Sequence, residues 1–265
     1  MTGLVWVILP TYNEAENLEM AVGAVLDGLA TAAPDGHRVL IVDDDSPDGT
    51  GAVADRLAAA VPAVEVLHRP AKSGLGQAYV NGFARALAAG ASHVVEMDAD
   101  LSHDPADLPR LLATASDGAD LTLGSRYVPG GGVEDWDLLR RTISRGGCAY
   151  ARHVLGVAVR DLTGGFKCFR AEALHAIDYA SVRSQGYAFQ VELTFRALRR
   201  GLRVEEVPIT FRERRRGESK MSPAIALEAA VLVPRLRFGR RRVRPVLAAA
   251  TAGSGEPEGL PIHPA

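Results

Sequence analysis

The sequence has few cysteines, few aromatic residues and no long apolar run, and these shortages exclude several classes of protein. Two cysteines in 265 residues are too few for a disulfide framework, and Cys148 and Cys168 lack the spacing of metal ligands. No segment approaches the roughly 20 apolar residues that a membrane-spanning helix requires. The first apolar run, LVWVIL, is short and has no basic stretch before it, so no signal peptide is predicted. We therefore expect a cytosolic chain.

The net charge of −2 conceals an uneven distribution of basic residues. Fifteen of the thirty Lys and Arg residues lie between Arg196 and Arg244, together with five acidic residues, so this part carries +10 (15 minus 5). Such a block can face phosphates, nucleic acid or an anionic membrane, or it can form a solvated surface. The charge of the block alone does not decide between these possible partners and a solvated surface.

Short β-rich runs alternate with alanine- and leucine-rich segments of helical period. Strands are predicted at 4–9, 38–42, 63–67, 93–97 and 120–124, and helices at 14–30, 50–60, 76–89 and 105–115. The alternation predicts an α/β fold with a mostly parallel sheet flanked by helices. Further along, a loop is predicted at 130–132, helices in WDLLRRTISRGGCAYARHVL and SQGYAFQVELTFRALRRG, and one strand in VEEVPITF.

A polar motif follows each of the five predicted strands. In chain order the motifs are PTYNE, DDDSPDGT, HRPAKSGLG, DADLSHDP and GSRY. Parallel sheets bind nucleotides at the carboxyl ends of their strands, where such loops collect. Five polar motifs at five strand ends therefore indicate a functional site along the carboxyl ends of the strands, rather than unrelated polar loops.

The motif DADLSHDP places Asp98 and Asp100 two residues apart. Residues two apart on a strand point to the same side, about 6.5 to 7 Å apart, so Asp98 and Asp100 are predicted to share one face at the end of the strand. Like charges at that spacing favour a hard cation such as Mg2+ or Mn2+, which usually shares its coordination with substrate phosphates. The alternative is a solvated turn in which Asp104 caps the helix that begins at Pro105.

The motif DDDSPDGT after the second predicted strand contains acidic residues that could contact a nucleotide. Asp43 and Asp44 can accept hydrogen bonds from a nucleobase or a ribose hydroxyl. Asp48 lies in a turn before Thr50 and can simply cap the next helix. The glycines in Gly74–Gly76 favour a helix start over a phosphate loop, because the full P-loop pattern is missing.

Eight segments, taken in order from Leu4 to Ser222, resemble family 2 glycosyltransferases, in particular the polyprenol (dolichol) monophosphate mannose synthases. The resemblance implies a GT-A (Rossmann-like) fold, GDP-mannose as donor, Mg2+ or Mn2+ as cofactor, and a polyprenyl phosphate acceptor mannosylated with inversion. The segments are LPTYNEAENL, VDDDSPDGT, KSGLGQAYVNGF, MDADLSHDP, GSRYVPGGGVEDWDLLRRTISRG, DLTGGFKCFR, GYAFQVEL and VPITFRERRRGESK.

The same resemblance implies roles for individual residues. Donor-nucleotide contacts fall on Pro10, Tyr12, Glu14, Val42 and Asp44. The metal and diphosphate motif falls on Asp98, Ala99 and Asp100, with Ser102 where some members place a glutamine near the metal. Basic residues that hold the sugar nucleotide and its phosphates fall on Arg126, Arg214 and Lys220. The acceptor phosphate is assigned to Arg126, Arg140 and Ser144, and the catalytic roles to Asp100, Arg126 and Lys220.

Simpler interpretations of single residues stay open. Tyr12 can be a packing aromatic, and Arg140 can be an exposed helix charge. We predict that His103 is a solvated turn residue. Cys168, which lies between Phe166 and Phe169, is predicted to belong to the core because the sequence places no histidine beside it.

Three other functions also stay open. One is a UDP-sugar-dependent polyprenyl-phosphate glycosyltransferase, for example for glucose. Another is a glycoside hydrolase that uses Asp98 and Asp100 as paired carboxylates, although a hydrolase has no phosphate for the basic residues to hold. The third is a noncatalytic binding module for sugar nucleotides or nucleic acid, which leaves the acidic pair without a role.

The chain is predicted to consist of a catalytic domain at 1–222, a docking segment at 223–245 and a disordered tail at 246–265. A helix is predicted to begin at Ser222-Pro223 and to end at Pro234, after the apolar run 224–233. Six arginines follow: Arg235, Arg237, Arg240, Arg241, Arg242 and Arg244. This segment is expected to hold the enzyme peripherally on the cytosolic face of a membrane, against lipid or an integral membrane partner. The alternative is a core helix with a solvated basic tail. Nucleic acid is not an expected partner.

Overall fold

The computed structural model describes residues 3–212 and 223–238, with only the backbone described for 223–230. The strands are β1 (Val5–Thr11), β2 (His37–Asp43), β3 (Val64–His68), β4 (His93–Glu96), β5 (Leu121–Ser125), β6 (Gly132–Val133), β7 (Lys167–Arg170), β8 (Val204–Pro208) and β9 (Thr210–Phe211). The helices are α1 (Leu18–Ala32), α2 (Thr50–Ala60), α3 (Leu75–Ala88), α4 (Leu108–Ser116), α5 (Leu138–Leu155), α6 (Ala171–Ala176), α7 (Gly186–Arg199) and α8 (Pro223–Phe238). Two short 3-10 turns lie at Pro105–Asp107 and Tyr179–Ser181.

Seven strands form one mostly parallel sheet in the order β3-β2-β1-β4-β7-β5-β8, and β6 pairs with β9 in a separate ribbon. The predicted parallel sheet with flanking helices is therefore confirmed. Only β7 is antiparallel to its neighbours in the large sheet, and it lies between β4 and β5. The five predicted strands are present with ends that differ by one or two residues, and helix α2 has its predicted bounds.

The sequence prediction differs from the structure in several elements, and the clearest differences concern two strands and the start of the first helix. No strand was predicted for β7, whose four residues are too short to show an alternating pattern. The single strand predicted in VEEVPITF is divided into β8 and β9, which belong to different sheets. The first helix begins at Leu18 rather than Glu14, because residues 12–17 form turns that complete the PTYNE loop.

The apolar core lies in two layers, one on each face of the sheet. One layer contains Trp6, Phe83, Phe169 and Phe189, with residues of α3, α5 and α7. The other contains apolar residues of α1 and α4. Both cysteines are free and buried, and Cys168 lies in the core as predicted. Burial of apolar surface on both faces is the main stabilising contribution to this kind of sheet.

The last described helix, α8, corrects a predicted boundary. It does not end at Pro234 but continues to Phe238. Proline removes one backbone donor, and here the helix tolerates that loss because Val233 is buried and Leu236 packs against the same core layer. Helix α8 contacts α5 and α7. None of the helices in the described ranges combines the length and apolar character needed to cross a bilayer.

Two glycines of α1 give a matched test of how closely this helix packs. A β-carbon at Gly28 would lie 2.7 Å from the backbone oxygen of Pro105, whereas one at Gly23 would meet no atom within 4 Å. We expect Gly28→Ala to lower the free energy of unfolding by about 1–3 kcal/mol, because a backbone atom must shift. Gly23→Ala should raise it by up to about 1 kcal/mol through helix propensity. Urea denaturation measures both, and equal effects would contradict the packing argument.

Candidate active site

The polar motifs meet at one edge of the sheet, as predicted. Strands β1 and β2 run in parallel register, with Pro10 opposite Val42 and Thr11 opposite Asp43. Strand β4 lies on the other side of β1, so the DADLSHDP loop begins beside PTYNE. Because β7 runs in the opposite direction, it starts at this edge, and the preceding segment Asp161–Phe166 joins the site.

The loops after β1 and β2 are held together by short side chains. The Thr11 hydroxyl donates to Asp43 Oδ1 at 3.3 Å, and the Ser46 hydroxyl donates to the same oxygen at 2.6 Å. Asp48 accepts from the Thr50 hydroxyl at 2.6 Å and from the backbone N–H of Ala15 at 3.1 Å. Asp48 therefore has the turn role allowed by the sequence, and these hydrogen bonds hold the pKa of its carboxyl below the usual value despite the opposing effect of partial burial.

Asp44, the predicted nucleotide contact, forms a buried ion pair with Arg69. The second Asp44 carboxylate oxygen lies 3.4 Å from the backbone nitrogen of Ser73. Arg69 follows β3 within the motif HRPAKSGLG, and the sequence argument gave it no role. A buried carboxylate stays ionised only with a partner of opposite charge. Because Asp44 is buried at the end of its strand, it requires a nearby cation, but the sequence does not show that this cation is Arg69.

Tyr12 and Glu14 are half-buried beside this pair of loops. The ammonium of Lys72 lies 3.5 Å from the centre of the Tyr12 ring, a cation–π contact. Glu14 Oε2 accepts from the Asn17 amide at 2.9 Å, and the Glu14 N–H donates to the Thr50 hydroxyl at 2.9 Å. Val42 is fully buried in its strand, so its contribution to a ligand contact is limited to positioning and to its backbone.

The strand that carries the acidic pair ends earlier than predicted. Strand β4 ends at Glu96, and Asp98 and Asp100 lie in the following turn, where Leu101 has a left-handed φ of 62°. The proposed same-face arrangement on a strand is therefore wrong, because the last ladder pair is Glu96 with Lys167. The side chain of Asp98 is 27% exposed, whereas Asp100 is buried and accepts from the Ser102 N–H at 3.0 Å. Asp104 accepts from the Ala106 N–H and caps the 3-10 turn as predicted.

His103 is not a solvated turn residue, which corrects the prediction. It is 2% exposed and packs between Phe166 and Phe211, each with its ring centre 5.2 Å away. Its Nδ1 lies 3.3 Å from the Asp98 backbone nitrogen. Burial lowers the pKa of His103, although the nearby Asp98 and Asp100 carboxylates act in the opposite direction. A neutral imidazole whose Nδ1 accepts from the Asp98 N–H is consistent with this position.

The donor set of the DADLSHDP turn fits a divalent cation that shares its ligands with phosphate. Ala99 is buried between the two aspartates, and the Ser102 hydroxyl is buried without a hydrogen-bond partner in the described part of the chain. Within residues 3–212 and 223–238 no three His, Cys, Asp or Glu side chains form a metal-binding group. One or two carboxylates plus substrate oxygens are the usual environment of Mg2+, so this turn suits such an ion without forming a complete protein cage.

Arg126 is held in a fixed position by several hydrogen bonds. It is buried after β5 and binds Asp161 through two side-chain hydrogen bonds of 2.7 Å each, while its backbone N–H donates to the same carboxylate at 3.0 Å. Burial acts to lower the pKa of Arg126, but Asp161 raises it overall, and Arg126 in turn holds the pKa of Asp161 below its usual value against the effect of burial. Asp161 was present in the motif DLTGGFKCFR, but the sequence argument assigned it no role.

Helix α5 brings the two predicted acceptor residues near Arg126. The Ser144 hydroxyl accepts a 2.6 Å hydrogen bond from Tyr127, the residue after Arg126. The guanidinium of Arg140 lies 4.2 Å from the centre of the Trp136 ring, and that of Arg126 lies 5.7 Å from it. Arg140 is half-buried, so it is not simply an exposed helix charge. Arg214 and Lys220 lie outside the described residues.

Two buried titratable residues, Glu96 and Lys167, lie beneath the acidic turn. Glu96 and Lys167 occupy paired positions on β4 and β7, and both are fully buried. Burial raises the pKa of Glu96 to about 8, an effect that Lys167 partly offsets. Burial likewise lowers the pKa of Lys167 to about 8, and Lys167 Nζ donates to the Gln190 carbonyl at 2.7 Å. The Lys167 side chain therefore joins β7 to α7.

The chain matches the family described as Glycosyl transferase family 2 over residues 6–178. It is 52% identical over 224 residues to a polyprenol monophosphomannose synthase of Mycolicibacterium smegmatis, covering 84% of this chain and 83% of that protein. It is 51% identical over 234 residues to an undecaprenyl-phosphate mannosyltransferase of Micrococcus luteus, covering 88% of this chain and 94% of that protein.

Solved structures with a similar fold are more distant in sequence. Glucosyl-3-phosphoglycerate synthase from Mycobacterium tuberculosis, in complex with phosphoglyceric acid, has a TM-score of 0.66 at 19% identity and covers 89% of this chain and 80% of its own. The same enzyme with Mn2+, UDP-glucose and phosphoglyceric acid has a TM-score of 0.64 at 19% identity, with the same coverage of both chains. At this identity the similarity shows the fold, and it agrees with the predicted GT-A architecture.

The Arg126–Asp161 pair gives a stability prediction. We expect Asp161→Asn to lower the free energy of unfolding by about 3–5 kcal/mol, because it leaves the buried guanidinium without a counter-charge. Since the pKa of Asp161 is lowered in the fold, its contribution is complete above the unfolded value of 3.8 and is lost only as pH falls further. The loss should therefore be the same at pH 6 and pH 8 in urea denaturation.

The exposed pair Arg85–Glu65 provides the control. Glu65→Gln should cost less than about 1 kcal/mol, because surface ion pairs contribute little. Similar losses for the two variants would show that the buried pair has no special structural role.

Proposed function

This chain belongs to Glycosyl transferase family 2, and we propose that it transfers mannose from GDP-mannose to a polyprenyl phosphate with inversion, releasing GDP. The carrying observation is the pair of relatives at 51–52% identity, both named for mannosyl transfer to a polyprenol or its phosphate. The convergence of the acidic turn and the buried Arg126 on one sheet edge supports the proposal, because the reaction must bring two phosphorylated substrates together.

The proposed acceptor explains why the site needs no dedicated general base. An alcohol acceptor must lose a proton during attack, whereas a phosphate monoester has a second pKa near 6 and is largely dianionic at neutral pH. His103 is buried with a lowered pKa and packs between two aromatic rings, which suits a structural role. The main task of the protein is therefore to hold two anionic substrates against their mutual repulsion.

The donor nucleotide is assigned to the loops after β1 and β2. Pro10 lies in β1, Tyr12 and Glu14 belong to the loop that follows it, Val42 lies in β2, and Asp44 follows β2. The Asp44–Arg69 pair fixes the carboxylate in one orientation before the nucleotide arrives. A fixed acceptor loses little conformational freedom on binding, which favours selective recognition of a nucleobase or ribose.

The donor diphosphate is assigned to the turn with Asp98, Ala99 and Asp100. A divalent cation, Mg2+ or Mn2+, would neutralise the diphosphate and stabilise the negative charge that develops on the leaving GDP. Asp98 and Asp100 would hold that ion, with the Ser102 hydroxyl as the third candidate ligand. The narrow turn keeps these oxygens at the sheet edge, between the donor loops and Arg126.

The acceptor phosphate is assigned to Arg126, Arg140 and Ser144. Arg126 is ion-paired with Asp161, so its guanidinium is rigid and its positive charge toward a phosphate is partly offset. Additional positive charge is therefore needed, and Arg140 on α5 can supply it. The predicted roles of Arg214 and Lys220, which lie outside the described residues, would add further cations around the same phosphates.

Donor choice tests the proposal most directly. Radiolabelled GDP-mannose and UDP-glucose should be offered with a short polyprenyl phosphate, and the label in the lipid product and in free sugar measured separately. We expect lipid-linked mannose from GDP-mannose. Transfer from UDP-glucose alone would favour the UDP-sugar alternative, free sugar alone would indicate a hydrolase, and no turnover would leave only a binding protein.

Loss of a carboxylate in the acidic turn should abolish transfer. We expect Asp100→Ala to lower turnover at least about 10²- to 10³-fold, as is typical for removal of a preorganised electrostatic group. Chelation of the wild type should have the same effect and should be reversed by Mg2+ or Mn2+. Asp107→Ala, a carboxylate in the following 3-10 turn, is the matched control and should keep most of the activity. Full activity in excess chelator would remove the metal from this mechanism.

We also propose that the basic C-terminal segment at 223–245 contributes to peripheral membrane association. The packing of α8 on α5 and α7 supports the alternative of a core helix for the described part, so the proposal rests on the later arginines. Truncation after Gly239 should leave stability and activity on a short, water-soluble acceptor intact, but should weaken binding to anionic liposomes. Equal liposome binding by the truncated and full-length chains, at low and moderate salt, would rule out a role for these arginines.

A further inference from the structure

Glu206 on β8 carries a carboxylate that accepts three hydrogen bonds from distant parts of the chain. Its Oε1 accepts from the Ser125 hydroxyl at 2.7 Å and from the Asp161 backbone N–H at 2.9 Å, and its Oε2 accepts from the Arg160 backbone N–H at 2.9 Å. The motif VEEVPITF predicted only a strand at this position. The carboxylate therefore joins β8 to the end of β5 and to the segment that precedes β7.

These three donors lie on both sides of the buried ion pair in the proposed acceptor site. Ser125 is the residue directly before Arg126, and Asp161 is the residue whose carboxylate binds the Arg126 guanidinium. Arg160 and Asp161 lie outside any helix or strand, so their N–H groups are satisfied by the Glu206 carboxylate instead of a sheet ladder. Glu206 therefore fixes the backbone at each end of the pair.

The orientation of the Arg126 guanidinium decides which of its nitrogens can meet a phosphate. Nε and Nη2 each donate to Asp161 at 2.7 Å, and Nη2 also donates to the Thr163 hydroxyl at 2.9 Å. Among the residues that the structure describes, Nη1 has no acceptor, so it is the nitrogen that remains for a ligand. Because the guanidinium is planar with fixed donor directions, a displacement of Asp161 would turn Nη1 as well.

We propose that Glu206 is a positioning residue of the acceptor site, which through its three hydrogen bonds sets the direction in which Arg126 presents Nη1 to a phosphate monoester. This inference rests on the proposed function, because the phosphate is that of the proposed acceptor. Glu206 acts through Arg126 and is assigned no contact with a substrate. Displacement of a binding group by about 1 Å can lower the rate of a reaction about 10²-fold, so loss of this carboxylate should be measurable in the acceptor step.

Glu206→Gln keeps the size of the side chain but replaces one acceptor with a donor. In either orientation of the glutamine amide, its NH2 group faces the backbone N–H of Arg160 or of Asp161, so one of these two hydrogen bonds is lost. Ser125→Ala removes the third donor and leaves both backbone contacts, so it should have the same effects to a smaller extent. Glu205→Gln is the matched control, because Glu205 is the neighbouring residue of β8 and its side chain, which is 44% exposed, forms a surface ion pair.

Hydrogen exchange measured by NMR tests the positioning without any turnover. The backbone N–H and the Nε–H of Arg126 both donate to Asp161 and not to Glu206, so a role confined to the Glu206 contacts would leave them unchanged. We expect Glu206→Gln to speed the exchange of both groups at least about tenfold. Amides of the central strand β1 should keep their wild-type rates. Unchanged exchange at Arg126 would overturn the inference.

A titration with a short isoprenyl phosphate, followed by the shift of the Arg126 Nε–H signal, tests the consequence for binding. We expect about tenfold weaker binding by Glu206→Gln than by the wild type, because Nη1 no longer points at the phosphate. Glu205→Gln should bind as the wild type does. Equal affinity of the wild type and Glu206→Gln would overturn the inference.

Steady-state kinetics separates positioning from a general loss of stability. In Glu206→Gln the KM for the acceptor should rise about tenfold, whereas the KM for GDP-mannose should change less than about twofold, because the donor loops follow β1 and β2. A wild-type KM for the acceptor, or equal rises for both substrates, would show that Glu206 has only a structural role. Absence of transfer by the wild type with every donor, together with weaker phosphate binding by Glu206→Gln, would overturn the proposed function but not the positioning of Arg126.

Discussion

The buried ion pair between Arg126 and Asp161 fixes the relation between three parts of the site. Arg126 follows the strand β5, Asp161 begins the segment that leads into β7, and the Cys148 sulfur of α5 lies 3.7 Å from the Asp161 carboxylate. The attraction between two buried ions offsets the free energy of removing them from water only when their remaining hydrogen-bond donors and acceptors also have partners. Asp161 also accepts from the Gly164 N–H at 3.1 Å, and Arg126 Nη2 also donates to the Thr163 hydroxyl at 2.9 Å. The geometry of the proposed acceptor-phosphate site therefore depends on this pair.

The same principle applies to the other charges at the sheet edge. Asp44 is compensated by Arg69, and Glu96 lies opposite Lys167 beneath the acidic turn. The ion pair holds Asp44 in place, and Lys167 is held by the Gln190 carbonyl at 2.7 Å. Asp98 is partly exposed, whereas Asp100 is buried. A cation that arrives from solvent can therefore reach the Asp98 carboxylate more easily. This arrangement suits a cation that arrives together with a diphosphate rather than one held permanently by the protein.

The sequence predicted the parallel strands and their polar ends because both leave a local pattern. Runs such as LVWVIL are apolar throughout, and the motif after each run is visible in a single line of sequence. Strand β7 was missed because its four residues form a strand through pairing with β4 and β5, which are distant in the sequence. The acidic turn was misplaced because pairing with β7 also determines where β4 ends. His103 was misassigned for a similar reason: its aromatic neighbours Phe166 and Phe211 are far away in the chain. Tertiary pairing, rather than propensity, decides these features.

Sheet order also determines the line along which the proposed transfer would run. The donor loops follow β1 and β2, the acidic turn follows β4, and Arg126 follows β5, with the antiparallel β7 between the last two. Neighbouring strands lie about 4.8 Å apart, so roughly 14 Å separates the ends of β1 and β5 across three strand spacings. That distance is comparable to the length of a sugar diphosphate. In the proposed arrangement, the insertion of β7 adds the spacing needed for a nucleotide, a diphosphate and an acceptor phosphate to lie side by side, with α5 at the acceptor end.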